Sequence, residues 1–211
     1  MKGIKAFTLA ETLITLAIIG VVATLTRPNL IANYQRSQFE AAFKQGYSFL
    51  LHTTQLYLRE NDSLYGTEKT STWSRPLQND FDKYTKTKKI SNVPYGKNKY
   101  KTFNGKTSPV WNNGGTRYQL DSGATIQFDV WLYEATRLWY DVNGDKGPNR
   151  LGYDIFIFIV DDKKGVIPAG TPGYLSANNF ACSTTGTGDR NGVACAYKAV
   201  KDKNYFKNLK F

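Results

Sequence analysis

Residues 1–30 read MKGIKAFTLAETLITLAIIGVVATLTRPNL, and the interpretation of the whole chain begins there. A short basic segment with Lys2 and Lys5 precedes an apolar run from Phe7 to about Leu25. Arg27 and Pro28 end that run. A bilayer core needs about 20 apolar residues in a helix, and positive charges stay on the cytoplasmic side. The stretch therefore predicts one membrane-spanning segment over residues 7–27, with the N-terminus in the cytoplasm.

Two ordinary alternatives exist for such a run, a secretory signal peptide and a plain membrane anchor. No small-residue cleavage site of the A-x-A kind follows the run, which argues against the signal peptide. Neither alternative explains Glu11, because a carboxylate in an apolar segment is costly without a partner.

The residues Ala6-Phe7-Thr8-Leu9-Ala10-Glu11 resemble the cleavage motif of type IV prepilins and type II secretion pseudopilins. The resemblance implies that prepilin peptidase cuts between Ala6 and Phe7 and that the new amine of Phe7 is methylated. Residues 1–6 are then the leader peptide. The family more often has glycine before the cut, where this chain has Ala6.

The resemblance also implies assembly roles for Glu11 and Pro28. Glu11 becomes the fifth mature residue, where the family has its glutamate. Its carboxylate would pair with the freed amine of Phe7 on a neighbouring subunit and set the axial register of a filament, since each buried charge is costly alone. Pro28 stands where many pilins have a proline, so a kink or a segment that melts on assembly is expected. A simple helix end is the alternative.

In function, the resemblance implies a structural subunit of a type IV pilus-like filament or a type II secretion pseudopilus. Its partners would be prepilin peptidase, other pilin or pseudopilin subunits and an inner-membrane assembly platform. The protein would be a single-pass protein of the bacterial inner membrane before it enters a periplasmic pseudopilus or a surface pilus. A head of this length favours a pseudopilin or minor pilin. The alternative is a pilus-borne adhesin or a DNA-binding minor pilin.

Beyond Pro28 the apolar spacing is helical, with Phe39, Phe43, Tyr47 and Leu50 on three- and four-residue steps. One long helix is expected to about Glu60, with residues 28–60 as its amphipathic half and 61–211 as a head. Alternating apolar residues predict an antiparallel meander over the segments 118–120, 124–130, 138–142, 154–160 and 165–168. Short strands are predicted at 70–73, 93–95 and 100–103. The fold class is α+β, and the resemblance implies a pilin fold with a C-terminal disulfide loop.

Oxygen-bearing side chains recur between two predicted strands, at Asp141, Asn143, Asp145 and Asp154. Such side chains are the ligands that Ca²⁺ prefers, and the segment resembles a DxNGxxGPN loop of pseudopilin-like heads. It is not an EF-hand, because Lys146 stands where that loop needs glycine. A plain turn, whose side chains bond to its own backbone, is the alternative.

The chain has two cysteines, Cys182 and Cys195, on either side of a Gly/Thr/Asn-rich loop. A disulfide between them is expected if the head is exported, with two free thiols as the alternative. The resemblance places this bridge in the C-terminal region of the head.

Net charge and the remaining motifs limit the other functions. The net charge is +11, which permits DNA binding without establishing it. Basic and aromatic residues alternate between Lys83 and Lys106, which suits single-stranded nucleic acid; a solvated surface loop is the alternative. The lysines concerned are Lys83, Lys86, Lys88, Lys89, Lys97, Lys99, Lys101 and Lys106. With one histidine and no catalytic motif, the chain is not expected to be an enzyme.

Overall fold

A computed structural model describes residues 8–61, 63–64, 76–91, 100–108, 116–131, 135–176 and 180–210. Residues 25–29, 76, 78–79, 91, 129–131 and 135 are described by their backbone alone. The predicted cleavage residues Ala6 and Phe7 and the predicted strands at 70–73 and 93–95 lie outside the described residues.

The long N-terminal helix, α1, spans Leu9–Glu60 and contains 52 residues. Thr8 caps its start, and at its end the backbone N–H of Asn61 donates to the carbonyl of Tyr57. Phe39, Phe43 and Leu50 are buried on one stripe of the helix, as the 3.6-residue period requires. The predicted helix to about Glu60 is confirmed. The helix continues through position 28, so the alternative of a helix end at Pro28 is wrong.

The prediction of a membrane-spanning segment over residues 7–27 is contradicted. Within the described part of the chain, no helix has both the length and the apolar character needed to cross a membrane.

The head is built on a six-stranded antiparallel sheet in the order β1-β2-β3-β4-β5-β6. The strands are Lys88–Ser91, Arg117–Gln119, Thr125–Trp131, Ala135–Asp141, Ile155–Asp161 and Gly165–Pro168, numbered β1 to β6. The predicted meander is confirmed for β2 to β6, with β6 at an edge as its proline suggested. Residues 100–103 form no strand, because Lys101 makes only isolated bridges to Thr107 and Arg150.

Short elements complete the head: helix α2 at Pro76–Tyr84, helix α3 at Cys195–Lys201 and a 3₁₀ helix at Phe206–Asn208. The sequence analysis predicted none of them, nor β1. α2 packs against α1, where the ring centroid of Phe81 lies 6.3 Å from that of Phe49.

Both faces of the sheet are covered, which gives the head two apolar cores. The first lies between the sheet and α1 and includes Phe43, Phe128 and Phe158. The second lies on the opposite face and includes Trp139, Leu151 and Ile157. Residues from loops, Tyr100 and Val193, close this second core. The sheet is thus buried between a helix and a layer of loops.

Candidate functional site

The start of α1 forms a capping box between Thr8 and Glu11. The backbone N–H and the hydroxyl of Thr8 each donate to the same carboxylate oxygen, Oε2 of Glu11, at 2.8 Å. In return, the backbone N–H of Glu11 donates to Oγ1 of Thr8 at 3.3 Å. These bonds satisfy donors that a helix start otherwise leaves free.

The capping box favours the ionised form of the Glu11 carboxyl. Hydrogen bonds from the Thr8 backbone, and then from its hydroxyl, lower the pKa of the exposed carboxyl, because they stabilise the charged form. The sequence analysis predicted Glu11 as an assembly residue and missed this second role. The signal was present, since Thr8-x-x-Glu11 directly before an apolar run is the usual mark of a capping box.

The first half of α1 presents large apolar side chains that are exposed. Leu9 is 79% exposed, Leu16 65% and Ile19 64%. Others with exposed side chains are Leu13, Ile14, Ile18, Val21, Val22, Leu30, Ile31 and Tyr34. A helix that is apolar on all sides is stable only when other apolar groups cover it. The exposed apolar side chains of this segment therefore need apolar groups from another molecule to cover them.

The polar residues of the same segment do not interrupt its apolar character. The hydroxyl of Thr12 donates to the carbonyl of Leu9 at 2.8 Å, and that of Thr24 donates to the carbonyl of Val21 at 2.8 Å. Because each hydroxyl bonds to its own helix, neither needs a polar partner when the surface is covered.

α1 first contacts the head near Arg36. The Nε of Arg36 donates to the carbonyl of Leu209 at 2.9 Å, and Phe39 is the first of the described apolar side chains of α1 to be buried. Residues 8–35 therefore extend beyond the head, over about 42 Å at 1.5 Å per residue.

The predicted calcium segment is a turn between β4 and β5 that is organised around Asp154. This carboxylate is fully buried and accepts the backbone N–H groups of Asn149 and Arg150, each at 2.7 Å. Burial raises the pKa of Asp154 to about 6, and the hydrogen bonds to it only partly offset that rise.

Of the other three predicted ligands, Asn143 reaches Asp154 with a side-chain hydrogen bond. Asp145 is exposed and pairs with Arg117 at 3.1 Å, whereas Asp141 accepts the backbone N–H of Asn143 at 3.2 Å. Within the described ranges, no group of three or more His, Cys, Asp or Glu residues could hold a metal ion. The bonds made by Asp141 and Asp154 are those of a turn whose side chains bond to its own backbone.

Two amide oxygens of this turn stand apart from that pattern. Oδ1 of Asn143 and Oδ1 of Asn149 are buried and have no hydrogen-bond partner among the described residues. Buried acceptors without a partner are rare and call for a donor or a cation.

Cys182 and Cys195 form the predicted disulfide, with Cα atoms 4.9 Å apart. Both cysteines are buried, and the bridge packs beside Tyr205 and Gly152. Gly152 has a φ of +79°, and a Cβ there would lie 2.5 Å from Sγ of Cys195. Only glycine suits that position, for both reasons.

The lysines of the predicted nucleic-acid segment do not form one described group. Lys88 and Lys89 lie in β1, and Lys83 pairs with Asp80 within α2. Lys101 is bridged to Arg150 in the loop layer, close in sequence to Lys106. Lys97 and Lys99 lie outside the described residues.

Comparisons of the chain with protein-family models, with curated proteins and with solved structures find no match. What the chain does is therefore inferred from its residues and their geometry.

Proposed function

We propose that the chain is a structural subunit of a type IV pilus-like filament or a type II secretion pseudopilus, with a pilin fold. Prepilin peptidase would remove residues 1–6, and the mature chain would polymerise through the first half of α1. The observation that carries the proposal is the exposed apolar surface of α1 between Leu9 and Tyr34.

The same helix in other subunits is the partner that suits this surface. A single face would be enough to dock on one globular partner, but here Leu13, Leu16 and Ile18 expose side chains in different directions around the helix. Apolar groups are then needed on several sides at once, as in a bundle of parallel copies. The part of α1 outside the head is long enough to reach several neighbours in such a bundle.

Glu11 supplies the one charge in the described part of this surface. In a bundle, its carboxylate would meet the amine of Phe7 of the next subunit, and the pair would fix the axial register. A wrong register would leave both charges unpaired in an apolar environment, which costs several kcal/mol.

Replacement of Glu11 by alanine tests the proposal. The Glu11→Ala chain should be processed and fold normally but fail to enter filaments, measured by electron microscopy and by the pelleted fraction. Glu40→Ala is the matched control, because Glu40 is also on α1 and, among the described residues, its carboxylate pairs with Lys44 alone. Normal incorporation of Glu11→Ala would contradict the assembly mechanism.

A DNA-binding minor pilin is the second candidate, and the net charge of +11 supports it. Binding of single-stranded DNA by the full chain should then weaken steeply with salt, because phosphate contacts release counterions. Absence of binding at low salt would remove this candidate.

Calcium binding also stays a prediction, and the two unpartnered oxygens of Asn143 and Asn149 support it. If a cation binds there, calcium should raise the melting temperature and a chelator should reverse the rise. An Asn143→Ala chain should lose the response. Equal melting temperatures with calcium and with chelator would favour the alternative, a plain turn that binds no cation.

A further inference from the structure

A cavity of about 200 Å³ lies between α1 and the sheet, beside the turn that joins β2 to β3. It is open to solvent on one side, so a small molecule can enter it. Three separate parts of the chain line it: α1 at Gln45 and Phe49, the segment between α2 and β1 at Lys86, and the turn at Asp121.

The inner surface of this cavity is formed before any ligand arrives. Tyr140 of β4 lines it, and the Tyr140 hydroxyl donates to the carbonyl of Ala42 on α1 at 2.9 Å, which holds the buried ring in place. Phe49 and Leu120 also line the cavity, and both are half-buried against the core between α1 and the sheet. Preformed apolar walls with a few polar groups are typical of small-molecule sites.

The cavity also has one charge of each sign. Lys86 and Asp121 are the only charged residues among those that line it, and both are exposed. They do not pair with each other, and among the described residues neither forms an ion pair with another group. An unpaired cation and an unpaired anion therefore line the same small space.

We propose that this cavity binds a small zwitterion, an α-amino acid with an apolar side chain. The Lys86 ammonium group bonds to the carboxylate of the ligand, and the Asp121 carboxylate bonds to its ammonium group. The side chain of the ligand packs against Phe49 and Leu120. This inference goes beyond the proposed function and does not depend on filament formation.

A zwitterion suits this lining better than a simple ion or a neutral molecule. A simple ion would be attracted by one of the two charges and repelled by the other, and a neutral apolar molecule would use neither. Size limits the ligand as well. Sites for drug-sized ligands have volumes of about 300–1,000 Å³, so a cavity of about 200 Å³ suits a smaller molecule.

Isothermal titration calorimetry of the full chain with L-leucine tests the proposal. Leucine should bind at one saturable site. Leucinamide lacks the carboxylate and N-acetyl-leucine lacks the ammonium group, so each should bind about tenfold more weakly, the scale of a lost hydrogen bond to a charged group. Glycine should also bind about tenfold more weakly, because it has no apolar side chain to bury.

Variants of the two charged residues assign their roles. Lys86→Met and Asp121→Asn should each weaken leucine binding about tenfold. Lys86→Met should leave the affinity for leucinamide unchanged, because leucinamide has no carboxylate for Lys86 to bind. Lys89→Met and Asp189→Asn are the matched controls and should bind leucine as the unaltered chain does, since both residues are exposed and lie outside the cavity lining.

Three results would overturn the proposal. The first is the absence of saturable leucine binding by the unaltered chain. The second is an equal affinity of that chain for leucine, leucinamide and N-acetyl-leucine. The third is a Lys86→Met chain that keeps its affinity for leucine, or that loses affinity for leucine and leucinamide equally.

Discussion

Single residues fix how closely the helix and the sheet can approach, and Gly46 is the clearest case. The ring of Tyr140 lies against it, and the Tyr140 hydroxyl donates to the carbonyl of Ala42 at 2.9 Å. A Cβ on Gly46 would lie 2.0 Å from Cζ of Tyr140. The helix and β4 can therefore meet only where the helix has no side chain.

Gly46→Ala should lower the free energy of unfolding by about 1–3 kcal/mol, because overpacking forces the ring or the helix to move. Urea denaturation of the full chain measures the change. Gly20→Ala is the control, since a Cβ there meets nothing within 4 Å. An unchanged stability for Gly46→Ala would mean that the contact with Tyr140 is not close.

Asp154 should make the head more stable in mild acid. Its pKa is raised to about 6 in the folded chain from 3.8, so the folded state binds the proton more tightly than the unfolded state. Stability from this group should increase as pH falls from about 6 to about 4, by up to about 3 kcal/mol.

Comparison with Asp154→Asn isolates that contribution, because asparagine does not titrate. The difference in unfolding free energy between the two chains should change across pH 4–6 and stay constant above pH 7. A constant difference over the whole range would show that the carboxyl titrates normally.

Among the elements, the C-terminal segment holds α1 to the sheet. The ring centroid of Phe206 lies 5.5 Å from that of Phe43 on α1 and 5.8 Å from that of Phe156 on β5. Arg36 bonds to the same segment at Leu209. The 3₁₀ helix at Phe206–Asn208 thus packs between α1 and the sheet.

Phe206→Ala should cost about 3–5 kcal/mol, the usual range for an aromatic residue removed from a core. Lys207→Ala, next to it but exposed, should change stability by less than about 0.5 kcal/mol. Thermal or urea unfolding of the two variants checks the contrast. Similar losses of stability in both variants would contradict this packing role of Phe206.

The disulfide should contribute about 3 kcal/mol, since it closes a loop of 13 residues. The Cys182→Ala, Cys195→Ala double variant should be less stable by that amount and insensitive to reductant. The unaltered chain should approach it when reduced. Equal stability of the oxidised chain and the double variant would contradict this contribution.

The elements that the sequence predicted are those with strong local periodicity. α1 and β5 carry long apolar patterns, and the turn signals around Gly123 and Gly165 define β2, β3 and β6. α3 has seven residues and no side-chain cap, so its stability comes from the disulfide and from contacts with the sheet. Such a helix cannot be predicted from local pattern alone.

α2 is not predicted in the sequence analysis, although a local signal for this helix exists in the sequence. Pro76 occupies the first helical position, and Leu77, Phe81 and Tyr84 follow on helical spacing. The short, polar segment was interpreted as loop. The second core was missed for a physical reason, since nothing local indicates that a loop will cover the outer face of a sheet.

The candidate site was predicted in part. The sequence singled out Glu11 and the two cysteines, and the structure adds the bond from Thr8 and the position of the disulfide beside Tyr205. Ligation of calcium depends on where four side chains point after folding. Asp145 forms an ion pair with Arg117 instead, and the spacing of residues in the sequence does not indicate that pairing.

At the scale of the whole molecule, the chain is a covered head attached to an uncovered helix. The head buries both faces of its sheet, whereas α1 leaves Leu9, Leu16 and Leu30 exposed. The folded monomer therefore buries the apolar core residues of its head and leaves the apolar residues of the first half of α1 exposed. Under the proposed function, polymerisation through α1 would cover this exposed part of the helix.

The most direct test of this account is the intact mass and N-terminal sequence of the protein recovered from its own host. The account predicts a chain that begins at N-methylated Phe7, with Glu11 as its fifth residue. A chain that still begins at Met1, or one that begins well beyond Pro28, would contradict processing by prepilin peptidase and the filament function that depends on it.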